Sequence, residues 1–150
     1  MPVMKFDAKR FDELDNKTLH DIFLLRSEVF VVEQECVYQD IDRKDLESIH
    51  IIGTKKKKII AYSRIMSLNS EFCSIGRVLV KKEFRKKGIG IKLMEKSIEK
   101  ARKLYSQKKI KISAQEYLKN FYTNLGFKQC GIWYWLDRIP HIDMILNRND

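Results

Sequence analysis

A mixed α/β fold in one domain is what the sequence predicts, and three observations lead there. Apolar, β-branched runs of strand length alternate with segments whose apolar residues recur at helical spacing. One junction, Ser74 to Lys92, is an apolar strand, then a basic glycine loop, then a helix, and open α/β sheets bind ligands at the carboxyl ends of strands. The 150 residues suit one core and one domain, 1–150, with no internal repeat or low-complexity linker. The elements in chain order read β-α-β-β-β-α-β-α-β-β.

Met4 to Phe6 is a short first strand, followed by charged residues around a turn. Asn16 or Thr18 is placed to cap a helix through its side-chain oxygen. Leu19, Ile22, Phe23, Arg26, Val29 and Phe30 then fall on one helical face, and the helix ends near Gln34. An acidic stretch follows, with Glu33, Glu35, Asp40, Asp42 and Asp45 in a basic protein. Ser48 to Thr54 and Ile59 to Leu68 are strands joined by Lys55 to Lys58, whose charges suit an exposed hairpin tip. Phe72 to Val80 is the next strand, and the helix after the glycine loop runs to about Tyr105. Lys109 to Ser113 alternates apolar and polar residues as a strand does. A helix from about Glu116 to Leu125 is closed by Gly126, suited to a left-handed cap. Strands complete the chain from Phe127 through Ile132, Trp133 and Trp135, and from His141 to Leu146.

Thirty Lys and Arg against twenty Asp and Glu give a formal charge of +10, which draws anionic partners. The positive charge is spread over Lys55 to Lys58, Lys81 to Lys87 and Lys100 to Lys111, without the interleaved aromatics that stack on bases. A solvated basic surface is therefore expected, and nucleic acid is not. Cys36, Cys73 and Cys130 are far apart and odd in number, which argues against a disulfide framework and against a metal site. No run approaches the ~20 apolar residues of a membrane span, and Met1 to Arg10 lacks the apolar segment of a signal peptide. A soluble, cytoplasmic protein without a membrane partner is expected.

Gly88 and Gly90 permit tight turns and leave no Cβ between main chain and ligand, so backbone N–H groups at the helix start can converge on one space. Arg85, Lys86 and Lys87 add charge at its rim, and the helix dipole adds more. Such a space suits pyrophosphate. The run Arg85-Lys86-Lys87-Gly88-Ile89-Gly90 resembles the R-x-x-G-x-G acetyl-CoA loop of the GNAT superfamily of N-acetyltransferases, and Phe121-Tyr122 with Gly126-Phe127 resembles its F-Y-x-x-x-G-F motif. Arg26 to Glu35 with Tyr38, Asp42, Asp45 and His50, together with Ile139-Pro140-His141-Ile142 and Met144, is similar to the ElaA-like branch. Leu136-Asp137-Arg138 departs from the E-D-G of that branch.

The resemblance implies a mostly antiparallel, twisted sheet of about six to seven strands flanked by helices, with acetyl-CoA as acyl donor and an amine as acceptor. It puts Tyr122 near the acyl-CoA sulfur and Gln115 where many members contact the pantetheine arm. It also implies a splay that frees a backbone N–H of Val78-Leu79-Val80 for the thioester oxygen. A phenol with a pKa of about 10, against about 8.5 for a thiol, stays protonated at neutral pH, so Tyr122 is the candidate acid. Glu33, Asp42, His50 and His141 are candidate bases, with a water relay as the alternative. The acidic stretch is expected to attract a cationic amine. Three readings stand: an acetyl-CoA-dependent N-acetyltransferase acting on a small molecule or peptide, a non-catalytic acyl-CoA-binding module, and a nucleic-acid-binding protein. A homodimer is left open.

Overall fold

Seven strands form one sheet in the order β1-β2-β3-β4-β5-β7-β6, where β1 is Lys5–Arg10, β2 Ile49–Lys55, β3 Lys58–Ser67, β4 Phe72–Val80, β5 Lys109–Gln115, β6 Lys128–Leu136 and β7 Ile139–Leu146. This computed structural model describes residues 3–148. Met1, Pro2, Asn149 and Asp150, the ends of the expected 1–150 domain, lie outside the described residues. Neighbouring strands are antiparallel except β4 and β5. The first strand reaches Arg10 rather than Phe6 because its polar second half completes a ladder with β2, from Lys5 opposite Thr54 to Arg10 opposite Ile49.

Among the described residues three α-helices flank the sheet: α1 (Asn16–Arg26), α2 (Ile89–Leu104) and α3 (Lys119–Asn124). Asp15, not Asn16 or Thr18, caps α1, its carboxylate accepting the Thr18 amide at 2.7 Å. The helical path continues past Arg26 as a wider π-helical stretch, Ser27–Glu33, and stops at Gln34. The helix expected from Glu116 is divided into a tight 3-10 turn, Glu116–Leu118, and α3. Gly126, at φ +101°, closes α3: its amide bonds the Thr123 carbonyl at 3.0 Å and the Phe127 amide bonds the Tyr122 carbonyl at 3.1 Å.

The sheet separates two apolar cores. Ile75, Leu93, Met94, Ile112, Phe127, Met144 and Leu146 belong to the larger one, beneath α2 and α3. Ile22, Leu25, Val29, Phe30, Ile52, Tyr62 and Leu79 form the smaller, beneath α1 and the π-helical stretch. In β4 the side-chain parity changes midway. Cys73 and Ile75 enter the larger core, yet Val78 and Val80 also pack there while Leu79 enters the smaller one. Tyr62 is opposite Leu79 and Arg64 is opposite Gly76, so Arg77 and Val78 share Ser63 as partner. This one-residue bulge is what reverses the alternation.

Two hairpins turn through residues with positive φ, Lys56-Lys57 (52° and 64°) and Asp137-Arg138 (49° and 65°). Two-residue hairpin turns of this kind favour Asn-Gly, because a Cβ disfavours the left-handed region by roughly 1–2 kcal/mol per residue. Replacing Lys56-Lys57 with Asn-Gly is therefore expected to raise stability by about 1 kcal/mol, seen as a rise of about 2–4 °C in Tm. An unchanged or lower Tm would mean that the lysines carry no strain.

Candidate active site

The parallel neighbours β4 and β5 meet only at their beginnings, Phe72 opposite Lys109 and Cys73 opposite Ile110. Beyond Cys73 they diverge, and a gap opens toward Val80 and Gln115. Just past β4, the Lys81 amide bonds the Ile60 carbonyl at 2.7 Å. Antiparallel strands alternate, so Leu79 also points its backbone at β3 while Val78 and Val80 point theirs into the gap. The Val80 carbonyl there accepts Arg85 Nε at 2.8 Å.

The glycine loop lies at the mouth of this gap. Lys86 (φ +64°) and Gly88 (φ +78°) are left-handed, and Gly88 caps α2 without help from a side chain. The first bond of α2 runs from the Lys92 amide to the Gly88 carbonyl, 3.2 Å, so the amides of Ile89, Gly90 and Ile91 have no acceptor within the helix. Space beside Gly88 is open, whereas a Cβ on Gly90 would lie 3.6 Å from the Phe121 ring and 3.9 Å from Val80 Cγ2. Both are ordinary contact distances, so the packing of the loop on α3 does not itself require a glycine at 90. Lys86 and Lys87 are exposed at the rim, and Lys87 Nζ lies over the Phe84 ring.

Tyr122 is buried in the larger core, edge-on to Phe121 at 5.1 Å and to Phe127 at 5.8 Å. Burial, with a smaller contribution from Tyr117, pushes its phenol pKa up, so it stays protonated. Gln115, at the end of β5, exchanges amide hydrogen bonds of 3.2 and 3.4 Å with Gln34. Cys36 donates to the Asp137 carbonyl at 3.0 Å. The segment after the π-helical stretch is thereby tied to the far side of the gap.

The candidate bases are separated. Glu33 grips Arg85 through two bonds of 2.6 and 3.0 Å, which binds the loop's first cation to the end of the π-helical stretch. His50 is fully buried, with Nε2 donating to the Asp45 carbonyl at 2.9 Å and Nδ1 accepting from the Tyr62 hydroxyl at 2.6 Å. Burial lowers its pKa and keeps it neutral. Both ring nitrogens are used within the protein. His141 stands opposite Gln115 on one side and Tyr134 on the other. Its Nδ1 donates to the Ile139 carbonyl at 2.8 Å, which leaves the lone pair of the neutral ring on Nε2, where no described residue bonds it. By strand parity its side chain lies on the sheet face opposite Tyr122.

A family model described as an acetyltransferase (GNAT) domain matches residues 13–148. The chain belongs to the GNAT family. The GNAT chain is 40% identical over 148 residues to a UPF0039 protein of Schizosaccharomyces pombe, covering 97% of this chain and 99% of that protein. It is 40% identical over 136 residues to protein ElaA of Escherichia coli, covering 88% and 89%. The crystal structure of Escherichia coli ElaA superposes with a TM-score of 0.92 at 36% identity, and that of an acyl-CoA N-acyltransferase from Pseudomonas aeruginosa with 0.91 at 33%. Each superposition covers 97% of this chain and 100% of the other. No helix among the described residues is long and apolar enough to cross a membrane.

In this GNAT chain the acidic stretch is not a free acidic surface. Arg26 bonds Asp40 Oδ2 at 3.1 Å and Asp45 Oδ1 at 2.7 Å, Arg64 bonds Asp45 Oδ1 at 2.9 Å and both oxygens of Asp42 at 2.6 and 3.0 Å, and Arg77 Nε lies 2.8 Å from Asp40 Oδ1. Three arginines neutralise three aspartates and Glu33 is taken by Arg85, which leaves exposed Glu35 as what remains of the expected pull on a cationic amine. The local sequence holds no sign of this, because Arg64 and Arg77 come from other strands. Arg77 was not singled out by sequence reasoning, and Gln34 was named only as a helix end and a motif position. A visible signal did exist for Arg77: it continues the Cys73, Ile75 alternation, where a charge has no place in a core.

Burial alone would raise the pKa of Asp42, but the Arg64 hydrogen bond and the charges of Arg64, Arg77 and Arg26 prevail and hold it below the usual carboxylate range. A depressed folded-state pKa stabilises above the unfolded value, about 3.9, and that stability is lost as pH falls through the folded value. The wild type is expected to lose stability below about pH 4, and Asp42→Asn to be less stable at pH 7 with a shallower acid decline. Denaturant unfolding at several pH values checks this, and parallel declines would contradict it.

Proposed function

We propose that this chain is an acetyl-CoA-dependent N-acetyltransferase that acetylates a primary amine of a small molecule or peptide by direct attack. The observation that carries this reading is the gap between β4 and β5, with the Val78 and Val80 backbone turned into it rather than toward a strand and the uncapped start of α2 at its mouth. The helix-start amides, with Lys86 and Lys87 at the rim, suit the pyrophosphate of the donor. The gap admits its extended arm as a strand would be admitted. The description of the Pseudomonas aeruginosa relative as an acyl-CoA N-acyltransferase supports the same chemistry.

Val78 N–H donates to the thioester oxygen as it gains negative charge. Tyr122, on the face carrying α2 and α3, donates its phenolic proton to the sulfur as the C–S bond breaks. Its raised pKa makes full transfer uphill early on, so the phenol acts as a hydrogen-bond donor until thiolate charge develops. On the opposite face, Nε2 of His141 takes the proton released by the attacking nitrogen. Glu33 and His50 are left as structural groups, since their polar atoms are committed within the protein. A cytoplasmic setting, where acyl-CoA is supplied, belongs to the same reading.

A screen of amines and peptides for release of free CoA tests the activity. With an active acceptor in hand, Tyr122→Phe is expected to lower kcat by about 10²-fold while changing the KM for acetyl-CoA much less. His141→Ala should lower kcat/KM by a similar ~10²-fold, with partial recovery on adding imidazole. Unchanged kcat in the first variant would remove the acid role. Loss without any rescue in the second would remove the base role. Binding of acetyl-CoA without turnover of any amine would favour a binding module.

A further inference from the structure

Arg77 is a charged, non-glycine residue at φ +51°, placed where β4 slips one residue against β3. Nothing local favours that conformation, because side chains with a Cβ resist the left-handed region and a glycine, Gly76, stands one position earlier. The side chain supplies what the backbone lacks. Its NH2 donates to the Asp40 carbonyl at 3.0 Å, and Nε lies 2.8 Å from Asp40 Oδ1 though not in hydrogen-bonding alignment. A longer contact of 3.5 Å reaches Asp42, and the guanidinium covers the Tyr38 ring at 5.4 Å. Asp40 and Asp42 are themselves held by Arg26 and Arg64.

The residue after this anchored point is Val78, whose N–H faces the gap. Losing the bulge would shift β4 by one residue against β3, turn the Leu79 N–H into the gap in place of that of Val78 and reverse the parity of everything after it. We propose that Arg77 is a positioning residue for acyl transfer: its side chain, locked onto Asp40 and Asp42, holds the β4 bulge in register and so aims the Val78 N–H at the thioester oxygen. This rests on the acetyl-transfer reading given above. The loop that meets the pyrophosphate is a separate segment, so that part of the donor's affinity does not depend on the lock.

The test compares Arg77→Lys and Arg77→Gly with wild type for kcat, KM, acetyl-CoA affinity by calorimetry, and hydrogen exchange of the 74–81 segment. Arg77→Gly relieves the backbone restriction but removes the anchor, while Arg77→Lys keeps the charge without the planar fork. Loss of aim should lower kcat by about 10²-fold in Arg77→Gly, with an intermediate loss in Arg77→Lys. Acetyl-CoA affinity should fall far less than kcat, because the pyrophosphate loop is untouched, and exchange of 74–81 should quicken, as expected for an element that loses its anchor. If Arg77→Gly does not fold, Arg77→Lys carries the comparison. Variants that remain folded with wild-type kcat overturn this assignment alone. A wild type that binds acetyl-CoA but acetylates no amine overturns the transfer reading, and the assignment with it.

Discussion

The divergence of β4 from β5 after Cys73 is the constraint to which the rest of this chain is fitted. A parallel pair left half-zipped exposes backbone donors and acceptors that would ordinarily be satisfied, and the fold manages them in two ways. On one wall Arg85 takes the Val80 carbonyl, while strand alternation turns the Val78 N–H into the gap. On the other, Gln115 is bridged by Gln34 and the β6–β7 turn by Cys36. Side chains from both halves of the molecule thus tie down the two walls of the gap.

Keeping that geometry requires buried charge. Arg26, Arg64, Asp40 and Asp45 are all almost fully withdrawn from water, and a buried ion pair seldom stabilises a fold more than well-packed apolar residues would. Its value here is specific positioning. The network ties the loop between α1 and β2 to β3 and to the bulge of β4, and it does so with balanced charge. The protein's net charge of +10 thus resides on the surface, including Lys86 and Lys87 at the mouth of the gap.

Much of this was legible in the sequence where the signal is local. The apolar run of β4, the glycine loop and the helical spacing of α2 lie within one contiguous stretch, and their boundaries are those of the structure to within about a residue. The Gly126 cap was equally local. What escaped was non-local. The partners of Asp40, Asp42 and Asp45 come from α1, β3 and β4, so an acidic stretch that read as a surface is an interior junction. Candidate bases were chosen by residue type, but only the hydrogen bonds distinguish them: His50 is spent on Asp45 and Tyr62, Glu33 on Arg85, and His141 retains Nε2. The bulge was hidden because every residue after Arg77 in β4 is apolar, so either parity looked acceptable.

The most direct measurement of the whole scheme is calorimetric binding of acetyl-CoA to the wild type, Gly88→Asn and Gly88→Asp. Both side chains tolerate the left-handed backbone better than most, occupy the same open space beside the start of α2, and differ chiefly in one negative charge. If the pyrophosphate rests on those amides, Gly88→Asp should bind at least about tenfold more weakly than Gly88→Asn, with a difference that shrinks in high salt. Equal affinities for the two variants would contradict a donor site at this loop.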